Sequence, residues 1–230
     1  MPVEVDNLLE QAEGLTQALN NHKDVITAKG NGQKKIDDLG SSYQNLIKNN
    51  SSQIAAETFM EQKTQAKNGA IQSAQDVITQ IQEAAKSAFP GDKVKAKEFR
   101  IGVEKPKSAK ELITLLDYLT GVVQKYSDVL IQNGMTQDDI ANVSTVYANL
   151  IAADAVQKNA AKLRNAATAT RDSSFAALRT TITATRNFAK VALKGDNAAL
   201  EEIKSIPKAR GKAKPTPPPI VDQKQSTAQK

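Results

Sequence analysis

Cysteine and tryptophan are absent from the 230 residues, histidine occurs once, and aromatic residues make up 4% of the chain. Without thiols there are no disulfides and no thiolate chemistry, and cysteine usage leaves the redox compartment open. The lone imidazole, His22, has no Cys or His motif beside it. It is a poor start for a zinc or iron site, and no Glu-x-x-His run offers a carboxylate-bridged metal pair. No G-x-S-x-G elbow is present. Gly30-Asn31-Gly32 is followed by Gln33 and Lys34, so it reads as a turn and not as a phosphate loop. These absences leave no catalytic residue, cofactor or metal site to name, and the chain reads as non-enzymatic. No apolar run approaches the roughly 20 residues that span a bilayer. The start, MPVEVDNLLEQAEG, lacks the basic and apolar regions of a signal peptide, so a cytoplasmic protein without a membrane span is expected.

What the chain does have is a repeat. DVITAKGNGQKKIDDLGSSYQNLI, from Asp24 to Ile47, returns from Asp128 as DVLIQNGMTQDDIANVSTVYANLI, 104 positions later and without a gap. The same shift pairs Pro2 with Pro106, Leu8 with Leu112, Leu15 with Leu119, Ile78 with Ile182 and Gly91-Asp92 with Gly195-Asp196. About a quarter of the aligned positions are identical, the mark of a duplicated structural unit.

Helix formers with Asn, Gln and Thr dominate each copy, and the apolar residues fall at steps of three and four. Leu8, Ala12, Leu15, Leu19, His22 and Ile26 predict one helix from about Asp6 to Ala28, stopped by Gly30 in a left-handed conformation. Ile36, Leu39, Tyr43, Leu46 and Ile47 predict a second helix, bounded by the polar run Asn49–Ser52. One long third helix to about Ala88 follows, with a break at Asn68-Gly69 as the alternative; the aligned stretch Ala169–Ser174 carries no Gly, which favours continuity, and Phe89-Pro90-Gly91-Asp92 ends the helix before a short closing helix around Phe99. The second copy opens on a capping box, Ser108 to Glu111. Its Thr136 caps the tyrosine helix, its long helix runs from about Ala155 to Leu193, and a short helix ends near Ile203. The fold class expected is all-α. Two tandem, homologous, antiparallel helical-bundle units occupy residues 1–104 and 105–206, and a basic, Pro-rich, disordered tail or linker takes 207–230.

Each unit thus orders a helix, a turn such as Gly134-Met135-Thr136 through Ile140, a tyrosine helix, a long Ala-rich helix and a short capped one, before the Pro-rich tail. Over residues 108–219 this order resembles an uncharacterised family of bacterial all-helical proteins with Pro-rich C-terminal extensions. The resemblance implies a helical fold and carries no activity with it.

Charge separates the copies. Between Ala155 and Gly195 eight basic residues face Asp172 alone, whereas the aligned stretch from Ser51 to Gly91 has three basic and four acidic residues. The net charge of +6 resides in the tail, where seven basic residues from Lys204 onward face only Asp222. Arg164 and Arg171 are seven apart, as are Arg179 and Arg186, and Lys190 and Lys194 continue at steps of four, which gathers charge on one side of a helix. One reading pairs these groups with acids of the first copy or of the first helix. The other makes Arg164, Arg171, Arg179, Arg186, Lys190 and Lys194, with Lys208, Arg210, Lys212 and Lys214 of the tail, an anion-binding stripe. The leading functional expectation is a structural or protein-interaction module with a protein partner. The alternative is a basic protein that contacts nucleic acid or another polyanion non-specifically, through phosphates.

Overall fold

The computed structural model describes residues 3–207; Pro2 and the basic tail from Lys208 to Lys230, with Lys208, Arg210, Lys212 and Lys214, lie outside the described residues. Among the described residues the protein is all-helical, without strands: α1 (Val3–Asn21), α2 (Lys23–Thr27), α3 (Gly32–Ala88), α4 (Lys93–Glu98), α5 (Ala109–Lys125), α6 (Ser127–Gln132), α7 (Gln137–Ala192) and α8 (Asn197–Ser205). None of these helices is long and apolar enough to cross a membrane.

Local chemistry sets most of the boundaries. The Ser108 hydroxyl accepts the Glu111 N–H and donates to the Glu111 carboxylate, while Thr136 and Asp139 each accept the other's backbone N–H. Both are capping boxes that satisfy otherwise orphaned donors. Asp92 and Asp196 cap α4 and α8 in the same manner, each after a glycine at positive φ, Gly91 and Gly195. Gly32 is required for a different reason, because a Cβ there would lie 1.9 Å from the Ile26 carbonyl oxygen.

Two expectations are corrected. The first helix is not continuous to Ala28: His22, at φ −115° and ψ 27°, divides α1 from α2, and Tyr126 divides α5 from α6 in the same way. Nor does Asn49–Ser52 end a helix. The Ser52 hydroxyl bonds back to the Lys48 carbonyl and Asn50 is buried, so these short polar side chains are absorbed and α3 runs 57 residues. As read from the sequence, the helix runs unbroken through Asn68-Gly69; the second tyrosine helix likewise does not end before the long one, and α7 is one helix of 56 residues.

The compact units consequently differ from the two halves of the sequence. One unit comprises Met1–Ile47 with Ser173–Lys230, the other Lys48–Asp172, so the boundary expected at 104/105 falls inside the second. The first core joins Leu8, Leu15 and Leu19 of α1, Ile26 of α2 and Leu39 and Leu46 of α3 to Leu178, Ile182 and Ala189 of α7 and Ile203 of α8. The second joins Ile78, Ile81 and Ala85 of α3 and Phe99 to Leu112, Leu116 and Leu119 of α5, Leu130 of α6 and Val143 and Leu150 of α7. Helix geometry is the cause. At about 1.5 Å of rise per residue, an unbroken helix of this length cannot lay both its ends on one 19-residue neighbour. The apolar seam Ile71–Ala88 shares its core with α5 and α6 instead.

Residues 104 apart sit at matching depths: Leu8 and Leu112, Leu15 and Leu119, Ile26 and Leu130, Leu46 and Leu150, Ile78 and Ile182, and Phe99 and Ile203 are all buried. Tyr43 and Tyr147 are both half-buried, not fully enclosed. The contacts that lock the short helices match too. His22 Nε2 lies 2.8 Å from Glu202 Oε2 on α8, and the Tyr126 hydroxyl donates to Glu98 Oε2 on α4 at 3.0 Å. The His22 ring, followed by Asn21, holds the Glu202 carboxyl below its usual range; Lys95, and then Tyr126, do the same for Glu98.

A double-mutant cycle tests which seams share a core. Leu15→Ala, Leu178→Ala and Ile78→Ala should each lower unfolding free energy by about 2–4 kcal/mol. Leu15→Ala with Ile78→Ala, in one sequence copy but different cores, should add within about 0.5 kcal/mol. Leu15→Ala with Leu178→Ala, in one core, should depart from additivity by more. The reverse pattern in denaturant titrations would return α1 to the long helix of its own copy.

Candidate functional site

The stripe read from the sequence is divided by the fold. Arg164 and Arg171 belong to the second unit, and Arg179, Arg186, Lys190 and Lys194 to the first. Lys194 has left the helix, because α7 ends at Ala192 and Lys194 lies in the turn toward α8. The half-buried Arg171 pairs with its neighbour Asp172 at 2.7 Å, and Arg164 donates to Asn165 Oδ1. Among the described residues none of the six makes an ion pair with an acid of α1 or α3. The cross-bundle pair that does form uses other residues: Asp154 of α7, flanked by Lys158 at 2.6 Å, meets Lys67 of α3 at 2.7 Å. Lys158, and then Lys67, hold the Asp154 carboxyl below its ordinary value.

Three members of the stripe do converge. Arg179, Arg186 and Lys190 line a cavity of about 260 Å³ with Gln11 of α1 and Thr183 and Asn187 of α7. Helix periodicity explains the grouping, since residues 179, 183, 186 and 190 follow one another at steps of four, three and four along one face, with 187 beside them. Arg179 is exposed and Lys190 half-buried. Arg186 is only 8% exposed. One terminal nitrogen donates to the Pro207 carbonyl at 3.2 Å, but its Nε is buried without an acceptor. Burial pushes the guanidinium below its ordinary value, and no acid opposes that shift. An arginine in this position still carries its charge at neutral pH.

The sequence signalled the positive groups but not the burial of one of them. Its position was nevertheless readable, because 186 is four past Ile182 and three before Ala189, both of them core residues. Gln11 and Asn187 carry no charge and offered no signal of their own.

Burying a cation without a counter-charge is costly, which sets this group apart from the other basic residues of α7. The position 104 residues earlier is Gln82, also buried, whose neutral amide donates to the Arg100 carbonyl at 2.8 Å. An uncharged side chain therefore meets the packing and hydrogen-bonding needs of this place in the second unit. No protein-family model, curated protein or solved structure matches the chain.

The stability of Arg186→Met follows from this geometry. Methionine keeps an unbranched stem while removing the uncompensated charge, so the variant should melt at or above the wild-type temperature in chloride buffer. A melting temperature several degrees lower would mean that the Pro207 bond and the stem outweigh the cost of the buried charge.

Proposed function

We propose that the chain is a non-enzymatic helical module that binds an anionic polymer through the basic face at the C-terminal end of α7, assisted by the positive charge of the tail sequence. The observation that carries this reading is the lack of internal counter-charge: Arg179, Arg186, Lys190 and Lys194 make no ion pair among the described residues. Pairing with the first copy would have explained them without a ligand. Contacts of this kind address phosphates or sulfates and not base edges, so binding is sequence-independent and salt-sensitive. A purely structural role, with a protein partner, is the competing reading, and it is favoured by the bundle architecture alone.

We also propose that the module arose by internal duplication, with the two copies exchanging the distal halves of their long helices and their closing helices. Support comes from the helix order, which runs 19, 5, 57 and 6 residues and then 17, 6, 56 and 9. The reciprocal pairs His22–Glu202 and Tyr126–Glu98 support it further, since both partners of one pair are displaced by the same 104 positions from those of the other. In this scheme the copies share a scaffold and only the second acquired the basic face.

Retention of the full chain on immobilised heparin or duplex DNA tests the binding reading. Affinity should fall with salt, at a log–log slope near −0.9 per phosphate contact on duplex DNA. Arg179→Glu with Lys190→Glu should reduce that slope by about two contacts' worth and leave the melting temperature within about 2 °C, because neither group is paired. Absence of retention at low salt, or reversal that destabilises without touching retention, would leave the structural reading in its place.

A further inference from the structure

We propose that the cavity between α1 and α7 is a discrete site for one compact oxyanion, a phosphate or phosphomonoester group, with Arg186 as the buried contact and Arg179 and Lys190 closing over it. This deepens the reading of α7 as an anion-binding face and rests on it, but it makes a separate claim. A face that only attracts a polymer needs exposed charges. It gains nothing from placing one guanidinium at 8% exposure with an unmet Nε donor.

Several features of the cavity fit an oxyanion. Its volume of about 260 Å³ falls below the roughly 300–1,000 Å³ of sites for drug-sized ligands, so a small group is the better match. Asn187 adds a neutral donor to the three cations, while the Thr183 hydroxyl and the Gln11 amide line the space but donate to the Arg179 and Asn7 carbonyls. A guanidinium presents its N–H groups in a fixed fork that complements phosphate or carboxylate oxygens, and a charge-assisted bond in a partly dry site is stronger than one on the surface. A bound anion would give Arg186 the counter-charge it lacks in the free protein. Phosphate is favoured over carboxylate because three cations converge on the space, and a carboxylate carries too little charge to balance them.

The comparison with the second unit isolates what is special. Arg179, Arg186 and Asn187 correspond by the 104-residue shift to Gln75, Gln82 and Glu83, whereas Thr183 and Lys190 correspond to the like residues Thr79 and Lys86. Gln75 and Gln82 both spend their amides on backbone carbonyls, those of Pro106 and Arg100. The scaffold is therefore complete with amides at these places. Two arginines have replaced two amides and a glutamate has been exchanged for asparagine, each change moving the site toward a bound anion.

The test uses the full chain and inorganic phosphate as the probe. Melting is followed in about 20 mM phosphate and in chloride at matched ionic strength, for wild type, Arg186→Met and Arg179→Ala with Lys190→Ala. Phosphate should raise the wild-type midpoint by about 3 °C or more, as expected for millimolar binding to a chain of this size. The rise should fall below about 1 °C in Arg186→Met. General stabilisation by excluded phosphate would act on all variants alike, so the difference between variants is the readout. If Arg186→Met does not fold, the double alanine variant decides, since its residues are exposed or half-buried. An equal rise in the variant and wild type would overturn the site.

Heparin retention on the same proteins separates this claim from the previous one. Retention of wild type without a phosphate effect would overturn the oxyanion site and leave the polymer-binding face standing. A variant-sensitive phosphate effect without heparin retention would establish the site for a free phosphate or phosphomonoester and remove the polymer reading. Both together would assign the cavity to a phosphate or sulfate of the polymer itself, with free phosphate lowering retention at constant ionic strength.

Discussion

An uninterrupted α-helix holds its apolar residues at fixed distances along its axis, and this rigidity governs the rest of the protein. Had α3 broken at Asn49–Ser52 or at Asn68-Gly69, its Ile71–Ala88 seam could have folded back onto α1. Continuous over 57 residues, it delivers that seam to α5 instead, and α7 does the reciprocal for α1. The first core therefore joins helices from the two ends of the sequence, while the second is built from the continuous stretch between them. His22–Glu202 then ties α8 to the junction of α1 and α2, and Tyr126–Glu98 ties α4 to the junction of α5 and α6.

Between the apolar seams the long helices use a different chemistry. From Ser51 to Gly69 the one buried residue is Gln53, and from Ile151 to Asp172 only Asp154 and Ala160 are buried. Lys67–Asp154–Lys158 supplies charge pairing here, while Ile54, Phe59, Ile151, Val156 and Leu163 remain exposed. The Lys67–Asp154 pair is largely buried, where desolvation offsets much of the attraction, so the middle of each long helix is held mainly by its own backbone bonds and by the seams at its ends.

The helical class, the capping boxes and the inward stripes were legible because each is written in local spacing. Leu8, Ala12, Leu15 and Leu19 step by four, three and four, and they are buried. Which helices share a core was not legible, because a seam's periodicity names the face that is buried and says nothing of the partner that buries it. The error arose at Asn49–Ser52, where cap-forming residues compete for the backbone in isolation but were overridden by a buried Asn50 and a Ser52 hydroxyl turned back onto Lys48. The basic stripe was half legible. Spacing placed Arg179, Arg186 and Lys190 on one face, but only the packing of α1 against α7 distinguishes a buried guanidinium from two accessible cations. Gln82, 104 positions earlier, is also buried but carries no charge, which sharpens that distinction.

The absence of cysteine permits a direct measurement of which helices share a core. A single nitroxide label on Gln17→Cys, an exposed site on α1, should strongly broaden the amide resonances of Asn197–Ser205 in α8, a helix that packs on α1. The account predicts that α8 is relaxed in this way and that α4, the short helix after α3, is not. Broadening of Lys93–Glu98 with sharp α8 signals would contradict it, and would place α4 rather than α8 on α1.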